Sequence, residues 1–403
     1  MSRKQLVALF ICQLIPYAVA NGLLSLLPIY VKRFDASATI TGFYLALTFV
    51  GLSVGSLYSG RLSSRFRQHR SFIVGGAIFS AATTFLMGVA PDMPLLMLFT
   101  ALAWLGAGIQ IAMVSILTGL FSNKRTRGKT FGIIGIAPVV GGMFGGLSAG
   151  PIVDHLGFFA LFALNGLAYV VVVLAALWLE DKAPAANPAQ GTRSASARQM
   201  SRPLLLLFTA SVLVSVANYI TGLGRPLAMN ALNFDSTAIS STIAISSAAT
   251  LPVPFILGWL SDRIGRKRLL IACYLAIAAG IGVLSGAVLI WHFWLSQSLV
   301  SWIRSERSLS SAYATDLIPP QSLGSNLARL STAPWIGAVI GYAVGGIALQ
   351  AFGIVPTLTL TALLPLASVA LISIIRPTSN QAVTVEVTRP AAITISHSAI
   401  RPS

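Results

Sequence analysis

Three ionisable side chains stand within four residues in the stretch SQSLVSWIRSERSLSSAYA (296–314): Arg304, Glu306 and Arg307. A guanidinium group binds carboxylate or phosphate, and a carboxyl group can hold a proton. On both sides the residues are apolar or small, as in a membrane helix. If the triplet were a loop, the helix before it would be only WHFWLSQSLVSWI, 13 residues. A crossing needs roughly 20. An Arg at the centre of a membrane helix costs about 2.5–3.5 kcal/mol, so two of them are hard to place against lipid. A water-filled cavity tolerates them, and charges there mark a solute or proton pathway by default.

Helical angles divide the three. Arg304 and Arg307, three apart, share a face. Glu306 lies about 200° from Arg304 at 100° per residue. It is expected to meet a neighbouring helix, or Arg307 at the edge. Arg304 and Arg307, with Arg225 near the outer mouth, are then candidates to bind an anionic or strongly polar solute. Glu306 is the one acid placed at mid-depth, hence the proton-coupling candidate. Asp154 and Asp316 fall at helix ends. The competing expectation is a buried ion network that only fixes the helix.

The elements that must position these groups follow from composition. Of 403 residues, 55% are hydrophobic and 9% charged, with a mean hydropathy of +0.82. A soluble chain carries about 25% charged residues, so the excess apolar surface has to face lipid. Apolar segments run at about 5–31, 39–60, 71–90, 94–121, 130–153 and 157–179, then 203–229, 236–260, 268–289, 291–315, 326–350 and 354–376. They predict an all-α polytopic membrane protein. Twelve transmembrane helices fall into an N-terminal bundle (1–179) and a C-terminal bundle (203–376). The polar stretch 180–202 reads as a cytoplasmic linker. The tail 377–403 reads as cytoplasmic and disordered. The basic start followed by AVA resembles a leader, but the apolar run resumes at once as GLLSLLPIY, which argues for a first helix instead.

The net charge of +17 sits in short loops. Arg61, Arg65, Arg67 and Arg70 mark one. Lys124, Arg125, Arg127 and Lys129 mark a second, and Arg263, Arg266, Lys267 and Arg268 a third. Such loops, with the linker and both termini, are expected on the cytoplasmic side of the cell (inner or plasma) membrane. The same distribution speaks against nucleic acid as a partner. Cys12 and Cys273 lie in apolar runs and suggest neither disulfide nor metal. His69, His155, His292 and His397 are scattered. No metal site, cofactor or catalytic constellation is readable, so no enzyme is expected.

The halves repeat each other. PIYVKRFDAS (28–37) matches PLAMNALNFDS (226–236), and GRLSSRFRQHR (60–70) matches GWLSDRIGRKR (258–268), pairing Pro28 with Pro226 and Gly60 with Gly258. Aligning Gly128 with Gly324 sets Glu306 opposite Gln110, inside the fourth segment. Internal duplication is the usual mark of a transporter with its site between the repeats.

The motif Gly258-Trp-Leu-Ser-Asp262-Arg263-Ile-Gly265-Arg266-Lys267 closely resembles the loop 2–3 signature of the major facilitator superfamily, in its second-half position. The resemblance covers about residues 5–376. In that family the loop is implied to lock the cytoplasmic side. The first-half copy departs from the pattern, with Ser64 where the family has Asp and Arg67 where it has Gly. Segment 4 keeps the family's glycine pair as Gly106 and Gly108, but Leu102 stands where an Arg linked to proton coupling is implied. Segment 5 resembles the antiporter motif, reading Ala137-Pro138-Val-Val-Gly141-Gly142. Pro138 can bend the helix, and the glycines allow close helix crossing with or without any antiport.

The resemblance further implies a cavity lined by segments 1, 4, 7 and 10. Polar stripes occupy one face each. Segment 1 has Gln13, Tyr17 and Asn21. Segment 7 has Ser211, Ser215, Asn218 and Arg225. Segment 10 has Gln297, Ser301, Arg304, Ser308 and Ser311. Gln110 joins them from segment 4. The expected function is secondary transport of a small organic solute by alternating access, as a monomer in lipid. Export in exchange for protons is favoured by the segment 5 motif, while uptake or uniport stays open. From another class, a non-transporting sensor or lipid handler on the same fold is the alternative. The lack of a sizeable soluble domain and the charged triplet speak against it.

Overall fold

A computed structural model describes residues 2–66, 68–122, 127–180, 200–318 and 322–375. The linker and tail expectations lie almost wholly outside these residues, as do Arg67, Lys124 and Arg125. The described chain is helical, without strands. Nine of its helices are long and apolar enough to cross a membrane.

The first four segments are single helices, α1 (Arg3–Tyr30), α2 (Ala38–Phe66), α3 (His69–Gly88) and α4 (Met93–Phe121). Helix α5 (Arg127–Ala176) carries segments 5 and 6 across a bend at Gly157, where φ is +82°. An L side chain rarely adopts that angle, so glycine makes the corner. Gly353, with φ +81°, makes the matching corner in the second half. Segments 7 and 9 are α6 (Arg202–Ala231) and α9 (Arg266–Ser285).

The other segments are each interrupted. Segment 8 is α7 (Ser236–Thr250) and α8 (Val253–Ile264), segment 10 is α10 (Ile290–Val300) and α11 (Ile303–Leu317), segment 11 is α12 (Leu323–Leu330) and α13 (Ala333–Phe352), and segment 12 is α14 (Ile354–Thr361) and α15 (Leu363–Ile374). Proline explains three of the breaks, because Pro252, Pro334 and Pro365 each lack the N–H that the ladder requires. Segment 10 has no proline. There the Ser301 hydroxyl donates back to the Gln297 carbonyl at 2.6 Å, a competing bond that bends helices. Ser301 and Trp302 take shallow helical ψ angles of −11° and −14°. A reading of twelve crossings counts α5 as two and each interrupted pair as one.

The two sequence halves meet chiefly through α5 against α7 and α2 against α13. Their mutual hydrogen bonds gather at the end away from the basic loops. Lys32 donates to Asn230. The Ala38 amide donates to the Gln350 side chain at 3.1 Å. The Asp154 carboxylate accepts from the Ser236 and Thr237 amides at 3.1 and 2.8 Å and from the Thr237 hydroxyl at 2.6 Å. It thereby caps the positive N-terminus of α7. Nearer the basic loops, α8 and α11 pack on α9, and α11 also on α6 and α12, all within the second half.

Candidate functional site

The bend at Ser301–Trp302 opens the turn from which the charged triplet projects, and the three side chains part as their angles require. Glu306 is buried, 1% exposed. One of its oxygens, Oε1, accepts from Ser310 Oγ at 2.6 Å, Ser211 Oγ at 2.8 Å and Tyr274 Oη at 3.2 Å. These donors come from α11 itself, α6 and α9. No cation lies within ion-pair distance of Glu306 among the described residues, so it meets neighbouring helices rather than Arg307. Hydrogen bonds to a charged acceptor are worth about 1.5–3 kcal/mol each, which offsets part of the cost of burying it.

Arg304 is half-buried and donates from Nη1 to Thr250 Oγ1 at 3.3 Å and Ser247 Oγ at 3.4 Å on α7. Arg307 is exposed, within electrostatic reach of Tyr17 on α1 and Tyr219 on α6. Neither arginine has a carboxylate partner among the described residues. Arg307 and Glu306 border a partly open cavity of about 290 Å³, also lined by Ser211, Ser310, Leu330 and Trp335. The site therefore presents a guanidinium without a carboxylate partner on one side and a hydroxyl-bound carboxyl group on the other. A separate hollow of about 160 Å³ between α1 and α5 is lined by Ile15, Val19 and Phe144, with no charged group.

The segment 5 motif supports Arg304 at one remove. A Cβ on Gly141 would lie 2.6 Å from the Leu14 carbonyl oxygen, and one on Gly142 would lie 2.7 Å from Ser247 Oγ. Only glycine lets α5 approach α1 and α7 this closely, and Ser247 is one of Arg304's two partners. Pro138 lies inside α5.

The other predicted site residues divide. Tyr17, Asn21, Asn218 and Gln297 are half-buried, and Asn21 turns its amide back to the Tyr17 carbonyl at 2.8 Å. Gln13 is buried, and its Oε1 has no partner. Arg225 is 3% exposed, and its Nε has no partner. Gln110 is not among the residues that border the cavity of about 290 Å³. It is 0% exposed and donates from Nε2 to Ser80 Oγ at 3.1 Å and to the Gly106 carbonyl at 3.3 Å. Its position in α4 turns it towards α3, where Gly76 leaves room for it.

In the loop signature, Gly265 has φ +87° and joins α8 to α9. Arg266 pairs with Asp316 at 2.8 Å and also donates to the Ala312 carbonyl at 2.7 Å. Lys267 donates to the Ser373 and Ile375 carbonyls at 3.0 and 2.7 Å. The loop thus ties α9 to the ends of α11 and α15. Arg263 is exposed. The backbone at Gly258 and Asp262 is helical, while the Asp262 side chain lies outside the described residues.

Sequence reading missed Tyr274, Ser310, Ser247 and Thr250, which hold the charged groups. The Ser/Thr-rich character of segment 8 was the available signal for the last two. Nothing in the local pattern of segment 9 marks Tyr274.

Two stretches, 9–233 and 207–401, match the family model described as Major Facilitator Superfamily. The chain belongs to the major facilitator superfamily. That family is one of membrane transporters, and with its apolar helices the chain is an integral membrane protein. It is 28% identical over 262 residues to the multidrug resistance protein MdtG of Klebsiella pneumoniae (strain 342), a match that covers 61% of this chain and 62% of that relative's length. It is 24% identical over 341 residues to the uncharacterized MFS-type transporter YuxJ of Bacillus subtilis (strain 168), covering 80% of this chain and 85% of that one. Sugar efflux transporter A of Dickeya chrysanthemi is 28% identical over 196 residues, 47% of this chain and 49% of the other. Among solved structures, the nucleoside transporter NupG superposes with a TM-score of 0.74 at 14% identity, over 92% of this chain and 98% of that one. At that identity the likeness concerns the fold.

Proposed function

We propose that this superfamily member moves a small polar or anionic organic solute across the cell membrane by alternating access. The halves 1–179 and 203–376 rock about a mid-depth site as a monomer, with the basic loops, linker and both termini in the cytoplasm. The observation that carries the reading is Arg307, an exposed cation without a carboxylate partner, bordering a cavity inside an apolar bundle. Arg304 stands beside it. Charge placed there is retained for a solute or ion.

Glu306 is the proton carrier in this reading. It reaches the same cavity, and its three hydroxyl partners can serve either protonation state by reorienting their hydrogens. Export is the favoured direction, supported by the segment 5 motif and by the efflux functions in the relatives' names. Uptake is the second reading, favoured by one observation: a cation and a protonatable group share one cavity, so an anion and a proton would bind together rather than compete.

Uptake into proteoliposomes tests the site. Replacing Arg304 or Arg307 by Ala is expected to cut transport of a responsive solute more than tenfold. Unchanged transport of every solute moved by the parent protein would remove the two arginines from the site.

A further inference from the structure

Four aromatic side chains form a cluster that reaches Arg307 through Tyr219 and Trp335, and none follows from the polar stripes. Phe49 on α2 lies 4.9 Å from Tyr219 on α6, 5.5 Å from Tyr342 on α13 and 6.5 Å from Trp335 on α13, between ring centroids. Tyr219 and Tyr342 are 5.2 Å apart. The cluster crosses between the halves, with Phe49 supplied by the first and the rest by the second. Phe49 and Tyr342 are buried, whereas Tyr219 and Trp335 are half-buried. Trp335 borders the cavity of about 290 Å³ that Arg307 also borders.

The two half-buried rings leave area for a third. Aromatic rings attract one another edge-to-face or offset at centroid separations of about 4.5–7 Å, beyond what buried area supplies. A cavity of about 290 Å³ is at the small end of ligand pockets, so the ligand is compact. Arg304, Arg307 and Arg225 repel a cation. Arg307, which has no carboxylate partner among the described residues, disfavours a neutral ligand, because its guanidinium would gain no charged acceptor.

We propose that the site takes a small aromatic carboxylate, with its carboxylate on Arg307 and its ring against Trp335 and Tyr219. Phe49 is a positioning residue that holds both rings at that angle. The inference rests on the reading of the Arg307 cavity as the transport site, and it adds the solute's class.

Three probes separate the two ideas: benzoate, cyclohexanecarboxylate and benzamide. They are of similar size. The second keeps the charge and loses the aromatic ring, and the third keeps the ring and loses the charge. Binding to the purified full-length protein is read by ligand-induced thermal stabilisation and by Trp fluorescence. Benzoate is expected to bind about five- to tenfold more tightly than cyclohexanecarboxylate, although the latter is the more apolar. Phe49→Leu should erase that ratio while leaving cyclohexanecarboxylate binding in place, and Trp335→Leu should weaken benzoate more than cyclohexanecarboxylate. Arg307→Gln should weaken both acids more than tenfold. Phe49→Leu serves if Trp335→Leu does not fold.

Equal binding of the two acids, both dependent on Arg307, would overturn the aromatic class and leave the anion reading standing. Benzamide binding as well as benzoate, indifferent to Arg307→Gln, would overturn the anion reading. Binding of none of the three would overturn this proposal and leave other anions to the transport assay.

Discussion

Gln110 and Glu306 occupy matching positions in the two halves, and the structure treats them alike up to their charge. Each is fully buried. Each contacts the third helix of its half, Gln110 through Ser80 on α3 and Glu306 through Tyr274 on α9. In the first half the pair is a neutral amide and one hydroxyl. In the second it is a carboxyl group with three hydroxyls, because Ser211 and Ser310 have been added. The repeat therefore preserves a place for a buried polar side chain between helices. One copy has kept it as glue, and the other has surrounded it with enough donors to hold a charge.

The largest expected effect comes from making the second half like the first. Glu306→Gln keeps an acceptor oxygen for the hydroxyls, so the protein should fold. It removes the carboxyl group that borders the cavity. Transport driven by a pH gradient should fall more than tenfold, while solute exchange without a gradient continues. The two rates are compared in proteoliposomes with and without an imposed gradient. In the uptake reading the pairing also gives a sign: a bound anion and a proton on Glu306 each favour the other. Solute binding should therefore tighten as pH falls in the parent protein and not in Glu306→Gln. Intact gradient-driven transport in the variant would return Glu306 to the role Gln110 has.

How far this was legible in the sequence depends on what kind of fact it is. The helices and the duplication could be read because lipid forces long apolar runs and because loops carry basic residues. The separation of Glu306 from Arg304 could be read because it needs only helical angle. The partners could not, since Tyr274 and Ser211 reach Glu306 through tertiary packing that leaves no local periodicity. The bonds of Gln110 to Ser80 and Gly106 could not be read for the same reason: a lone polar residue on a membrane helix has two inward faces available, and only the position of α3 decides between them. The aromatic cluster was hidden because a Phe or Tyr in an apolar segment reads as core.

The reverse exchange, Gln110→Glu, should cost stability. Gln110 is the donor there, to Ser80 Oγ and the Gly106 carbonyl, and the Ser80 hydroxyl already donates to the Ala103 carbonyl, so a carboxylate would be left short of partners. The penalty is about 3 kcal/mol, seen as a lower thermal midpoint in detergent at pH 8 that recovers towards pH 5 as the carboxyl is protonated. A variant as stable as the parent at both values would mean that the first-half position already tolerates charge, and that the contrast between the halves lies elsewhere.

The smallest effect is also the finest comparison. Ser211→Ala removes a hydroxyl that donates to a carboxylate at 2.8 Å, and Ser80→Ala removes one that meets an amide at 3.1 Å. A hydrogen bond to a charged group is worth about 1.5–3 kcal/mol and a neutral one about 1 kcal/mol. If Glu306 is ionised in the resting protein, Ser211→Ala should therefore cost about twice as much as Ser80→Ala in thermal unfolding at pH 8. In the Glu306→Gln background the two costs should become equal, because both hydroxyls then face an amide. The double-mutant cycle isolates that pairwise term. Equal costs in the parent protein would mean that Glu306 already carries its proton at rest, with proton release rather than proton capture as its half of the cycle.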